Sequence, residues 1–168
     1  MNFKHLNHEW IVDEKNYLGF VGVNIYECNK NPLNFEIIEL IEQGLLINNH
    51  FEREIEPESN PTSFYGPIKL CELEKSDFIY CDNLKLEECY NKYWSDKDWG
   101  KDLEVFKRHK KNAEDYLKQI GFNSNNHYFL SQEWIPKKKT VELNFFAYFV
   151  CIISISENRI AVITYGED

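Results

Sequence analysis

From Val141 to Ile155 every odd-numbered position is apolar: Val141, Leu143, Phe145, Ala147, Phe149, Cys151, Ile153 and Ile155. Successive strand residues point to opposite faces, so this set lines one face of a sheet. The even positions begin polar at Glu142 and Asn144, turn apolar at Phe146, Tyr148, Val150 and Ile152, and end polar at Ser154 and Ser156. A strand that is apolar on both sides at its middle predicts a central strand, covered on both faces. Ser156 to Arg159 supplies a turn, with Asn158 tolerant of left-handed backbone. Ile160 to Tyr165 then returns as a partner strand rich in β-branched residues. The apolar run Phe145 to Ile153 is too short for a membrane helix, which needs about 20 residues.

The same reading extends along the chain. Trp10 to Val12 and Tyr17 to Tyr26 form a first hairpin, in which Gly19 and Gly22 mark a bulge or a close backbone contact. Asn31 and Pro32 open a helix, with Leu33, Ile37, Leu40 and Ile41 on its apolar side, Glu36, Glu39 and Glu42 as a solvated row, and Gly44 as its stop. Leu45 to Ile55 reads as a strand, Glu56 to Pro67 as a loop, and Ile68 to Leu73 and Phe78 to Cys81 as short strands. Asp82 and Asn83 cap a helix with the stripe Leu86, Cys89, Tyr90, Tyr93 and Trp94. A longer helix runs from Trp99 or Gly100 to Ile120, with Gly121 ending it, and His127 to Ile135 alternates as a strand. The predicted order is β-β-α-β-β-β-α-α-β-β-β. The predicted fold class is α+β: a single domain over residues 1–168, with a mainly antiparallel sheet, a long C-terminal hairpin and about three helices packed on it. The long helix is expected to cover one face.

Composition narrows the class. A chain of 168 residues with 43% apolar and 28% charged residues is long enough to bury a substantial core and reads as soluble and globular. The first residues lack the apolar core of a signal peptide. Five cysteines without a Cys-x-x-Cys pair read as reduced thiols, which predicts a cytoplasmic protein. The net charge of −9 is uneven: residues 36–104 carry 17 acidic and 7 basic side chains, the remainder 11 and 12. A field of this sign disfavours nucleic acid and anionic membranes as partners and steers a cationic protein inward. The basic run Lys107 to Lys111 reads as a solvated helix face rather than a phosphate-binding patch.

Candidate chemistry is sparse. His5 and His8 are two ligands where zinc takes three or four, so neither metal nor cofactor is expected. Cys28 or Cys89 could meet His127 only through the fold, and no Gly-x-Ser-x-Gly elbow is present. Glu133 and Glu142, on neighbouring strands, could share acid/base work if they faced a cleft. The remaining feature is the interleaving of aromatics and carboxylates in Tyr90 to Asp102. Tyr93, Trp94, Asp96, Asp98, Trp99 and Asp102 are therefore the candidate protein-binding residues, with Glu52, Glu54 and Glu56 extending the acidic surface. Core packing competes for Tyr90, Tyr93 and Trp94, because all three lie on the helix stripe. The expected function is non-catalytic binding of a cationic protein, as in the immunity proteins that neutralise bacterial nuclease toxins. The rivals are a small enzyme whose site assembles only in three dimensions and a structural subunit of a complex.

Overall fold

The computed structural model describes residues 3–13, 16–46, 64–95, 103–140 and 148–167. In chain order its elements are β1 (Phe3–Asp13), β2 (Asn16–Cys28), α1 (Ile37–Glu42), β3 (Phe64–Tyr65), β4 (Ile68–Lys69), β5 (Ile79–Cys81), α2 (Asn83–Ser95), α3 (Leu103–Gln119), β6 (Asn126–Ser131), β7 (Tyr148–Ile155) and β8 (Arg159–Glu167). Six strands form one antiparallel sheet in the order β1-β2-β8-β7-β6-β5, and β3 and β4 pair separately. The two terminal hairpins thus lie side by side, joined by β2 and β8. The α+β class, the antiparallel sheet and the C-terminal hairpin are as the alternation predicts.

β7 lies between β8 and β6 and is buried on both faces, which is why its centre is apolar on both sides. On one face Val21, Val23, Ile25, Val150, Ile152, Ala161 and Ile163 pack under α2 and α3 through Tyr90, Tyr93, Phe106 and Ala113. On the other face Phe20, Tyr26, Phe149, Cys151, Ile153 and Val162 pack against α1, β3 and β4 through Ile37, Leu40, Tyr65 and Ile68. α3 crosses β1 and β2 where the backbone of Gly19 admits it; a Cβ there would stand 2.9 Å from His109 Cε1 and 3.1 Å from Val105 Cγ1. Arg159, the first residue of β8, donates to the carbonyls of Ile120 (3.3 Å) and Gly121 (2.6 Å), satisfying acceptors left open at the C-terminus of α3. Gly121, at φ 63°, makes the left-handed turn out of that helix.

Several elements differ from the pattern. β1 begins at Phe3, not Trp10, because a register shift between His5 and Asn7 interrupts the alternation on which the strand assignment relied. The helix after Asn31 is two pieces: a 3-10 turn over Pro32–Asn34, held by Asn31 Oδ1 on the Leu33 amide (2.9 Å), and then α1. Glu36 is extended and restarts the helix through a reciprocal capping box with Glu39. Leu33 is consequently exposed rather than on the apolar face. Leu45 and Leu46 are buried in a turn, and the rest of the strand expected there lies outside the described residues. The strand expected over Ile68 to Leu73 ends at Lys69, followed by a 3-10 turn, and it pairs with Phe64–Tyr65 from the expected loop. β6 stops at Ser131, whose carbonyl accepts the Trp134 amide (3.1 Å); the chain turns, and Trp134 folds back onto Phe129. Residues 141–147 of the C-terminal strand lie outside the described residues. No helix among the described residues is long and apolar enough to cross a membrane.

Candidate functional site

Tyr93 and Trp94 are the only candidate interface residues within the described part of the chain. Tyr93 is fully buried, packs against Phe129 and Trp134, and donates from its hydroxyl to Glu133 Oε1 (3.4 Å). Trp94 is half-buried, with its ring 4.3 Å from that of Phe106. Both therefore tie α2 to the sheet and to α3. Asp96, Asp98, Trp99, Asp102, Glu52, Glu54 and Glu56 lie outside the described residues, as does Glu142 of the carboxylate pair.

The basic run on α3 is engaged with carboxylates of the same chain. Lys107 pairs with Glu104 (2.9 Å), Lys111 with Asp115, and Lys110 with both Glu87 of α2 (2.7 Å) and Glu114 (3.0 Å). Lys110 also stands 5.0 Å from the ring centroid of Tyr90, so one ammonium links the two helices over an aromatic floor. Its pKa is raised: burial pushes it down, and the hydrogen bonds from Glu87 and Glu114 outweigh that burial. Of the run read as a solvated face, Lys107, Arg108 and Lys111 are exposed, but His109 is fully buried and Lys110 is half-buried, because the helix turns this side of the run onto β2 and α2.

Beneath that link a cavity of about 230 Å³ lies between α2, α3 and the sheet. Its floor is Ile152 and Ile163, and its polar end is His127 and Ser154. His127 is buried; its ring contacts Ser154 Oγ through Nδ1 (2.8 Å) and Asn83 Oδ1 through Nε2 (2.8 Å). The amide oxygen only accepts, so Nε2 carries the proton and Nδ1 takes the serine hydroxyl. Burial lowers the pKa of His127 from its ordinary 6.5, against a smaller opposing pull from Asp82. Neither Cys28 nor Cys89 is the hydrogen-bond partner of this ring; Cys81 Sγ donates to the Ile79 carbonyl (3.2 Å) and stands 3.7 Å from Cys89 Sγ. All five cysteines are free thiols, four of them buried and Cys71 exposed. Burial pushes Cys151 up to about 12, burial with the Cys89 thiol pushes Cys81 to about 12, and burial with Glu27 pushes Cys28 to about 11. Thiols held protonated in this way are poor nucleophiles.

The opposite face carries the described acidic surface. Glu36, Glu39 and Glu42 are exposed along α1, and Glu72 and Glu74 are exposed beside it. Glu36 pairs with Lys75 (2.5 Å), whereas Glu39 and Glu42 enter no ion pair among the described residues. Buried Lys139, in a 3-10 turn over Lys137–Lys139, reaches Asp77 (2.7 Å) and Glu74 (3.0 Å) and joins that turn to the one over Lys75–Asp77. Next to α1 lies a hollow of about 350 Å³, walled by Leu33, Phe35, Glu36, Tyr80 and Tyr128. Leu33 and Tyr80 are 45% and 52% exposed, high for large apolar side chains, so the hollow offers contact area; the one carboxylate in its wall, Glu36, is paired with Lys75, which also lines it. Tyr80 stands on the edge strand β5, opposite Tyr128, and donates to Asn126 Oδ1 (2.5 Å).

The sequence reading found the glutamate row but not its neighbours. Helical spacing places Leu33 on the buried side of one continuous helix, and the break at Phe35 moves it outward. Tyr80 carried a weak signal, as the one large side chain between Ile79 and Cys81 in a short edge strand. No family model matches this chain, and no curated protein or solved structure matches it either.

Proposed function

We propose that this protein is a non-catalytic, acidic binding protein of the immunity type, which occupies and neutralises a cationic protein toxin, such as a nuclease domain, in the cytoplasm. The observation that carries the reading is the exposed acidic side of α1, where Glu39 and Glu42 have no ion-pair partner among the described residues; a hollow with exposed Leu33 and Tyr80 in its wall lies at the start of that helix. Carboxylates steer a cationic partner toward the surface, and aromatic and aliphatic anchors set the dissociation rate. The lysines of α3 support it too, since their pairing with Glu87, Glu104, Glu114 and Asp115 leaves less free positive charge to repel such a partner.

The test starts from the gene next to this one. An inhibitor must be made wherever its toxin is made, so a neighbouring gene for a secreted protein with a basic terminal domain is expected. That domain, purified, should bind this protein with an association rate that falls steeply with salt. Glu39→Lys with Glu42→Lys should slow association by about tenfold at low salt. A neighbourhood of metabolic genes, or a basic domain that does not bind, would sink the reading.

A second reading, a small enzyme, draws on the cavity that holds His127 and Ser154. It requires a substrate that reaches Ser154 between α2 and α3. Loss of a measured turnover on Ser154→Ala, with the fold intact, would favour it.

A further inference from the structure

We propose that His5, His8 and Asn24 form a binding site for a divalent first-row transition-metal ion of the zinc, nickel and copper class. This inference is independent of the inhibitor reading. In a regular strand, residues three apart point to opposite faces. Between His5 and Asn7 the β1–β2 register slips: His5 stands opposite Tyr26, Asn7 opposite Ile25 and His8 opposite Asn24. Leu6 is the extra residue, and the slip brings both imidazoles to one side of the ribbon. Such bulges re-aim side chains.

The two rings converge on one atom. His5 Nε2 is 3.1 Å and His8 Nδ1 is 2.9 Å from Oδ1 of Asn24, which is only 5% exposed. Donor atoms bound at about 2.0–2.1 Å to such an ion stand roughly 3.0 Å apart at right angles and about 3.4 Å apart at tetrahedral angles. The separations of Asn24 Oδ1 from each imidazole nitrogen are those of adjacent positions around a six-coordinate or tetragonal ion. Two imidazole nitrogens and a carbonyl oxygen suit copper, nickel and zinc, and favour copper by the usual affinity order. His5 is exposed and His8 half-buried, so an ion reaches the site from the His5 side. Tyr26 lies 5.3 Å from the His5 ring and Trp10 stacks at 6.3 Å on His8, which fixes both imidazoles in place.

Without metal, Asn24 Oδ1 accepts from both rings, so His5 carries its proton on Nε2 and His8 on Nδ1. Binding moves each proton to the other ring nitrogen and turns the inner lone pair toward the ion. Among the described residues no three His, Cys, Asp or Glu side chains cluster as a metal site; the third donor here is an amide. Because β1 supplies two donors and β2 the third, the ion joins the edge strand to its neighbour.

The experiment uses the full chain without an affinity tag, titrated calorimetrically with Zn²⁺, Ni²⁺ and Cu²⁺ and then melted at saturating metal. We expect one ion per chain and a rise in Tm of roughly 5–10 °C at a concentration a hundredfold above Kd. His5→Ala should weaken binding at least tenfold, and His5→Ala with His8→Ala should abolish it. Cys71→Ser, which removes the exposed thiol, should leave binding unchanged. The electron paramagnetic resonance spectrum of the Cu²⁺ form should carry the splitting of two imidazole nitrogens, and of one in His8→Gln, which keeps a polar side chain on the strand. No saturable one-to-one binding in the wild type, or equal binding in the double variant, overturns the proposal.

Discussion

Gly166→Ala isolates one contact in this sheet and should destabilise the protein. Gly166 lies in β8 opposite both Phe20 and Phe149. Its φ is not in the left-handed region, so alanine meets no backbone strain there. On propensity alone the change should help, because a glycine inside a strand costs about 0.5–1 kcal/mol relative to alanine. Sterics reverse the sign. A Cβ at Gly166 would stand 2.2 Å from Phe20 Cζ and 2.7 Å from Phe20 Cε1, far inside contact distance. The Phe20 ring cannot swing away freely: it is 6% exposed and lies under Trp10 with ring centroids 4.7 Å apart. Overpacking of this kind costs about 1–3 kcal/mol, so the net loss should be roughly 1–2 kcal/mol. In urea, Cm should fall at constant m, and Tm should drop by about 2–8 °C. Phe20→Leu should lose stability by itself and relieve part of the Gly166→Ala penalty, giving a double variant better than the sum of the two changes. A Gly166→Ala protein at least as stable as the wild type would refute the reasoning, since it would mean that Phe20 gives way at no cost.

Three further outcomes follow from buried groups and surface charge. The pKa of His127 is lowered by burial, so the folded chain binds fewer protons there than the unfolded one; its contribution is complete above about pH 6.5 and is lost as pH falls through the folded value. Stability measured from pH 7 down to pH 5 should therefore fall more steeply in the wild type than in His127→Gln. Among the five free thiols, exposed Cys71 should react promptly with a disulfide reagent in the native state, and the other four only on unfolding; rapid reaction of Cys81 or Cys151 would contradict their burial and raised pKa values. Against the basic partner, Asp96→Lys, Asp98→Lys and Asp102→Lys together test the acidic stretch after α2, as Glu39→Lys and Glu42→Lys test α1. Unchanged association at low salt in either set would remove that surface from the interface.

Alternation and helical spacing are local properties, and they made much of the fold readable. The β7–β8 hairpin, the capped start of α2 and the α3 stop at Gly121 each follow from residues within a few positions of one another. Where a short-range hydrogen bond interrupts the element, the periodicity misleads. The side chain of Glu39 reaches back to the amide of Glu36 and breaks what spacing drew as one helix, turning Leu33 outward. Ser131 turns the chain out of β6 although the alternation continues to Ile135.

The candidate chemistry divides in the same way. Acidity in the middle of the chain, unpaired cysteine spacing and the His5-x-x-His8 pair were all legible in the sequence. Their meaning was not, because each depends on which strand lies next to which. Asn24 joins His5 and His8 only through the β1–β2 register and its one-residue slip. Ser154 and Asn83 meet His127 from a strand and a helix that are 27 and 44 residues away along the chain. Lys110 becomes a link between helices because α2 packs beside α3. Periodicity determines which face of an element is buried, since that follows from backbone geometry alone; tertiary pairing decides which polar groups come within bonding distance, since that depends on register and on side chains brought together from far along the chain.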